Sequence, residues 1–283
     1  MKAFDGRVAA ITGAASGIGR ALAIELARRG CDLAIADIDT DGLEGTAARC
    51  ADHRVEVTTE QLDVASRDGV LGWADHVVRD HGRVNLLVNN AGVSLGYDVE
   101  SMSFEDFDWL MGINLGGVVN GTKAFLPHLR RSGDGHVVNV SSVFGLISIP
   151  HLSAYNAAKF AVRGFSDSLR MEMKASGSPV SVTTVHPGGV KTNISNNVRY
   201  DPVRLAVHKT DPGKEFEKMA RTTAEAAASA ILEAVRRDRR RVTIGHDAKV
   251  IDLLSRLPAP IYQTPLTVHA RREYRRIRKL APR

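Results

Sequence analysis

Cysteine is scarce in this chain: only Cys31 and Cys50 occur among 283 residues. Two thiols cannot build a disulfide framework or a four-cysteine zinc site, and they fit a reduced, cytoplasmic setting. No cluster of His, Asp and Glu has metal-ligand spacing, so no metal is expected. Long apolar runs are also missing. The longest stretch without Asp, Glu, Lys or Arg is Gly135–Ala158, and it contains Asn139, Ser141, Ser142, Pro150, Ser153 and Asn156. Such a stretch makes a poor spanning helix. A strand-like run begins by Arg7, so no secretory leader is expected. There is no fixed-period repeat and no low-complexity block.

What is present suits one large domain or two small ones with a substantial core. Hydrophobic residues are 43% and charged residues 25%, the balance of a soluble globular protein. The net charge of +6 is unevenly placed. Residues 271–283 hold seven basic residues and one acidic, which accounts for all of it. A second basic cluster, Arg236-Arg237-Asp238-Arg239-Arg240-Arg241, suits a helix C-terminus. Without the two clusters the body is mildly acidic, so nucleic acid is not the expected partner.

Apolar runs of strand length alternate with helical stretches. Strands are expected at Val8–Thr12, Leu33–Asp37, Val55–Leu62, Leu86–Asn89, Val137–Ser141, Val180–His186 and Val242–Gly245. Their apolar residues are continuous rather than alternating, as in a parallel sheet covered on both faces. Ile18, Leu22 and Leu26 make one buried helical stripe. Ser103-x-x-Asp106 and Thr222-x-x-Glu225 resemble capping boxes that open later helices. The βαβα order predicts an α/β fold, a Rossmann-type doubly wound sheet of about seven strands with helices on both faces. The domain is expected to run over residues 1–245, with 246–283 as a basic C-terminal extension.

Thr12-Gly13-Ala14-Ala15-Ser16-Gly17-Ile18-Gly19 follows the first strand and opens the first helix. Glycines there let the backbone turn sharply and approach a pyrophosphate, which then sits on the helix N-terminus. Asp37 ends the second strand. A carboxylate at that point accepts both ribose hydroxyls of an adenosine and repels a 2′-phosphate. The residues that follow are Ile38, Asp39, Thr40 and Asp41, and Ser16 stands where a basic residue would help a 2′-phosphate. The cofactor expected is therefore NAD.

Tyr155-Asn156-Ala157-Ala158-Lys159 puts a phenol and an ammonium on one helical face. A free tyrosine is too weak a base at neutral pH. A neighbouring ammonium and an oxidised nicotinamide favour phenolate, so that the tyrosine can exchange a proton with an alcohol or carbonyl oxygen. Ser142 lies at the C-terminal end of the fifth expected strand, where ligands of open α/β sheets bind, and can hold the substrate oxygen. A Ser-His-Asp hydrolase built on Ser142 and His186 is disfavoured because no Gly-x-Ser-x-Gly elbow surrounds Ser142. His186, Met171 and Met173 read as packing residues, the two methionines alternatively as subunit contacts.

With these motifs in this order, the sequence resembles the short-chain dehydrogenase/reductase family in its compact, single-domain branch. The resemblance rests on Thr-Gly-x-x-x-Gly-Ile-Gly at 12–19, Asp63-Val64 and Asn89-Asn90-Ala91-Gly92. It continues with Asn114, Ser142, Tyr155, Lys159, Pro187-Gly188 and Thr192. The Thr-Gly-x-x-Gly-x-x-Gly of the extended branch is missing. The resemblance implies that Asp63 and Val64 contact adenine and that Asn90, Ala91 and Gly92 line the middle of the cofactor. Asn114 would hold a water that links Lys159 to solvent. Tyr155 would be the acid/base, and Lys159 would also bond the nicotinamide ribose. Pro187, Gly188, Val190 and Thr192 would hold the nicotinamide. Asn193–Ala220 would form a lid over the substrate. The same resemblance implies a homodimer or homotetramer built through helices around 103–131 and 153–176.

Leu95, Ile147, Ile149 and Leu152 flank the catalytic oxygen site. They point to an apolar secondary alcohol or ketone, with Leu95, Ile149 and Leu152 as substrate contacts. The alternative within the enzyme class is an NADPH-dependent 3-oxoacyl thioester reductase. The non-enzyme alternative is a scaffold that docks on a membrane or other anion through its basic tail. Val250, Ile251, Leu253, Leu254 and Leu257 form an apolar stripe before that tail, and Pro258, Pro260 and Pro265 are expected to break any helix there. An apolar stripe followed by basic residues is suited to peripheral contact with an anionic membrane.

Overall fold

The computed structural model describes residues 1, 3–192, 198–202, 205 and 220–275, and the backbone of 276–280. Seven strands form the main sheet: β1 (Val8–Thr12), β2 (Asp32–Asp37), β3 (Val57–Gln61), β4 (Leu86–Asn89), β6 (His136–Val140), β7 (Ser181–Pro187) and β9 (Arg241–Ile244). Their order is β3-β2-β1-β4-β6-β7-β9, and every neighbouring pair is parallel. All seven fall where continuous apolar runs place them, within two residues at each end.

Residues of one strand feed two cores in turn. Ala9, Ile11, Leu33 and Ile35 pack with α1 (Gly17–Arg28), α2 (Thr40–Cys50) and α7 (Ala224–Arg236). Val8, Ala10, Ala34 and Ala36 pack on the opposite face with α3 (Arg67–His81), α5 (Gly117–Arg131) and α6 (Ser153–Ala175). Ile18, Leu22 and Leu26 are buried as their spacing requires. Burying one such leucine contributes about 1.5–3 kcal/mol, so the two covered faces together stabilise the sheet. Both cysteines are buried. Burial pushes the Cys31 thiol up to about 12 and that of Cys50 to about 11, which makes both inert as nucleophiles.

Ser103 caps α4 (Phe104–Met111) by accepting from the Asp106 amide at 3.0 Å. The second expected cap is displaced by one residue. Thr223, not Thr222, accepts from Ala226 N at 3.2 Å and opens α7. Thr222 is engaged earlier, because its backbone pairs with Gly189 and Lys191.

The strand order turns around between β1 and β4, and the crevice at their carboxyl ends is the place where such sheets bind ligands. A second, small parallel pair roofs that region: β5 (Ser94–Gly96) and β8 (Val198–Tyr200). Tyr97 also bridges to Leu152.

The last strand leads into α8 (His246–Leu254) and α9 (Pro260–Leu280). The expectation that prolines break any helix here holds for Pro258, which lies in the turn between the two helices, and is corrected for Pro260 and Pro265. Pro260 is the first residue of α9, where a fixed φ and a missing N–H cost nothing. Pro265 lies inside the helix, where it forfeits the bond its N–H would give the Ile261 carbonyl and crowds that carbonyl, yet α9 continues through it. Ala248 of α8 and Ala270 of α9 are buried, and the His151 ring meets both Glu273 (3.6 Å) and Tyr274. Among the described residues no helix is long and apolar enough to cross a membrane.

Candidate active site

The glycine-rich turn is shaped by hydroxyl and amide bonds between β1 and β4. Thr12 Oγ1 accepts from the amides of Asn90 and Ala91 at 3.0 and 3.2 Å. The Asn90 side chain donates to the carbonyls of Thr12 and Gly13 at 3.0 Å. Gly13 and Gly17 sit at φ +67° and +52°, and a Cβ on Gly19 would strike the Gly13 carbonyl. The turn thus needs glycine for conformation at two positions and for close approach at the third. Ser16 is the N-cap of α1 without a side-chain bond to its first turn, and Ile18 packs inward.

At the end of β2, Asp37 accepts from Ala15 N at 2.9 Å through one oxygen and from Asp39 N at 3.1 Å through the other. The Arg20 guanidinium is already committed: it bonds Ala15 O, Gly42 O and Thr46 Oγ1. Asp63 is exposed at the end of β3 and accepts from Ala65 N at 2.9 Å, while Val64 is buried against Gly117. A bare glycine turn, an open helix N-terminus and a fixed carboxylate one strand away are the parts that a dinucleotide fits.

Tyr155 and Lys159 lie one turn apart on the buried face of α6. That helix is tied to β6 by Ser141 Oγ, which donates to Lys159 O at 2.8 Å, and by a buried chain from Asn89 through Asn139 to Ser166. Ser142 follows β6 and accepts from Phe144 N at 3.1 Å through its hydroxyl, which stands near enough to Tyr155 to act on its phenol. Ser142, Tyr155 and Lys159 are all buried. Lys159 Nζ donates to Val140 O at 3.2 Å and lies 5.6 Å from the Tyr155 ring centre. Burial brings its ammonium down to about 8.

For Tyr155 the protein alone acts against the expected lowering. Burial pushes the phenol up, and the Ser142 hydroxyl only works against this. The reason is placement: the ammonium is held on a carbonyl and over the ring rather than at the hydroxyl.

Asn114 occupies a π-turn, Gly112–Gly116, between α4 and α5. Its side chain accepts from Val93 N at 2.8 Å and donates to Val93 O at 2.9 Å. The amide is therefore used at both ends, and a wide π-turn is a frequent device at functional sites. Gly92 faces this group: a Cβ there would stand 3.2 Å from Asn114 Oδ1 and 3.4 Å from Lys159 Nζ.

Beyond Pro187, the backbone of 188–191 is braced from the far end of the chain. Gly188 N donates to Ile244 O at 2.9 Å, Gly189 N to Asp247 Oδ2 at 2.6 Å, and Lys191 N to Thr222 O at 2.9 Å. Val190 is buried, and Thr192 lies against Gly17. Sequence reasoning missed Asp247, because it stands two residues past the expected domain boundary. His186 is a packing residue as expected, but it has a second task. Its Nδ1 lies 2.8 Å from the Ser142 carbonyl, a bond whose only sequence signal is the neighbouring Pro187, which has no N–H to offer.

The three apolar candidates do not share one cavity. Leu95 is buried with Leu110, Ala154, Tyr155 and Ala158, and Leu152 packs on the same cluster. Ile149 instead lines a cleft of about 650 Å³ with Tyr97, Pro150, Phe160, Leu266 and Tyr274. Of the expected lid, residues 193–197, 203–204 and 206–219 lie outside the described residues. Among the described residues no group of His, Cys, Asp and Glu is arranged to hold a metal ion.

Residues 7–202 match the family model described as short chain dehydrogenase. SadH of Mycobacterium tuberculosis, which carries the name of an oxidoreductase, is 46% identical over 264 residues, 93% of this chain and 95% of its own length. Among solved structures, a short-chain dehydrogenase/reductase from Burkholderia phymatum in complex with NAD superposes with a TM-score of 0.83 at 31% identity. It covers 91% of this chain and 94% of its own. An alcohol dehydrogenase from Thermococcus sibiricus complexed with 5-hydroxy-NADP gives a TM-score of 0.71 at 29% identity, over 84% of this chain and 95% of that one.

Proposed function

The chain belongs to the short-chain dehydrogenase/reductase family of oxidoreductases, and from that premise we propose that it moves a hydride between NAD and an apolar secondary alcohol or ketone. The observation that carries the reading is the meeting of Ser142, Tyr155 and Lys159 at the carboxyl end of β6, beside Gly92 and Asn114.

When bound, the nicotinamide supplies the hydride acceptor or donor. Gly13, Ser16, Gly17, Ile18 and Gly19 would hold the pyrophosphate on the N-terminus of α1. Asp37 would take the adenosine ribose hydroxyls, and Asp63 and Val64 the adenine. Asn90, Ala91 and Gly92 would line the middle, and Pro187, Gly188, Val190 and Thr192 the nicotinamide.

Ser142 orients the substrate oxygen, and Tyr155 gives or takes its proton. The phenol is raised by burial, so phenolate needs positive charge beside it. Lys159, at about 8, still carries that charge at neutral pH and also serves the nicotinamide ribose. The proton then passes from Lys159 toward solvent through a water at Asn114. The Asn114 side-chain amide itself is spent on Val93.

NAD is preferred over NADP because Asp37 is fixed by Ala15 and Asp39, and Arg20 is already held by Ala15, Gly42 and Thr46. This also weighs against an NADPH-dependent 3-oxoacyl thioester reductase. We extend the family's homodimer or homotetramer to this chain, with α4–α5 and α6 as the pairing helices. Phe104 and Met171 are exposed on them, whereas Met173 is buried.

The test is kcat/KM with each cofactor over a panel of apolar secondary alcohols and small polyols. A preference for NAD of about a hundredfold, an Asp37-sized effect of roughly 3 kcal/mol, is expected together with turnover of the apolar alcohols. The double variant Asp37→Ser, Ile38→Arg should narrow the preference. A preference for NADP, or turnover of polyols alone, would overturn the reading.

A further inference from the structure

We propose that the face made by α8, the 255–259 turn and the outward side of α9 docks on an anionic lipid bilayer. Five large apolar side chains stand exposed within this short segment: Val250, Leu253, Leu257, Ile261 and Val268. Leu253 and Ile261 are 65% and 51% exposed. They are not the leftover side of a packed helix pair, because Ala248 and Ala270 already supply the buried contacts of α8 and α9.

The charge on α9 is sorted in the same way. Ile261, Pro265, Val268, Arg272 and Arg275 recur at intervals of four and three and share one side of the helix. All five positions are exposed, as is Arg271. On the opposite side lie Leu266, Ala270 and Glu273. Glu273 is the one acidic residue among 271–283, and its carboxylate reaches the His151 ring at 3.6 Å. Turning that carboxylate inward leaves an outward surface that is apolar in its first half and basic in its second. Apolar side chains enter the headgroup boundary while guanidinium groups meet anionic headgroups, the two-part signature of a peripheral membrane helix.

A second copy of the chain is the poorer occupant, since a parallel symmetric pairing would set two basic stripes against each other and an antiparallel one would bury each basic half against apolar side chains. A soluble polyanion would engage Arg271, Arg272 and Arg275 but would draw nothing from Leu253 or Ile261.

The experiment is co-sedimentation of the full-length protein with vesicles of phosphatidylcholine, with and without about one-third phosphatidylglycerol. Binding to the anionic vesicles should exceed binding to the neutral ones at least about tenfold and should fall as salt rises. Leu253→Asp with Ile261→Asp, and separately Arg271→Gln with Arg272→Gln and Arg275→Gln, should each weaken binding by about tenfold or more. The melting temperature should stay unchanged in both variants, since every altered side chain is exposed. Equal binding to neutral vesicles, or none to either, overturns the proposal. Anionic binding that survives the two Asp substitutions also overturns it, marking a simple polyanion site. So does an oligomer that those substitutions split while vesicle binding persists, which would assign the face to a protein contact.

Discussion

His186 Nδ1 donates to the main-chain oxygen of Ser142 at 2.8 Å. A carbonyl can only accept, so the proton sits on Nδ1 and the ring is neutral, in keeping with a pKa lowered by burial to about 4. The bond fixes the residue whose hydroxyl meets Tyr155, at a point where Pro187 has no N–H to extend the ladder between β6 and β7. His186 is a positioning residue. Replacing it by Leu should lower kcat about tenfold with KM for the cofactor little changed, the effect of a carbonyl left unsatisfied at roughly 1–2 kcal/mol. Asn, whose amide can donate from nearly the same place, should restore most of the rate. Steady-state kinetics of the two variants checks this, and equal losses in both would reduce His186 to packing.

Asp247 holds the backbone of the 187–192 segment from outside it, through Gly189 N at 2.6 Å. Asp247→Ala should raise KM for NAD by several-fold to about tenfold, since a backbone donor loses its charged acceptor. Asp247→Asn keeps an acceptor oxygen and should fall in between. Cofactor titration by fluorescence or calorimetry measures the order.

Lys159 makes stability depend on pH. Its native pKa, about 8, lies below the ordinary value of 10.5. Between those limits the unfolded chain holds a proton that the native chain has released, so stability rises with pH in that window. Below pH 8 both states are protonated, and the full cost of burying the charge remains. Lys159→Met should therefore melt higher than the wild type at pH 7 while losing activity, and its advantage should shrink from pH 8 toward 10. Thermal melts across that range give the sign directly.

Most of the scaffold was legible because each strand of a doubly covered parallel sheet must be apolar on both faces. Ala9 and Ala10 both had to be buried, and they are, in opposite cores. Ser142, Tyr155 and Lys159 were legible because a helical turn and a strand end carry their geometry. What the sequence hid depends on partners distant in the chain. The three-residue strands β5 and β8 exist only through each other, 104 residues apart by the pairing of Ser94 with Val198. The choice of Thr223 over Thr222 as a cap follows from Thr222 being taken by Gly189 and Lys191. Pro265 reads as a breaker because its cost is visible in the sequence and the packing of Ala270 and Glu273, which holds α9 in place, is not. The upward push on the Tyr155 phenol in the protein alone is hidden for the same reason: its burial is a property of the fold.

The central claim is that Tyr155 handles the proton while the rest of the site holds the cofactor. The measurement is Tyr155→Phe, with NAD binding followed by calorimetry and turnover by the absorbance of the reduced nicotinamide. Binding within about threefold of the wild type and turnover reduced at least about a thousandfold are predicted, because the variant removes one hydroxyl and no packing. Turnover within about tenfold of the wild type would contradict the account.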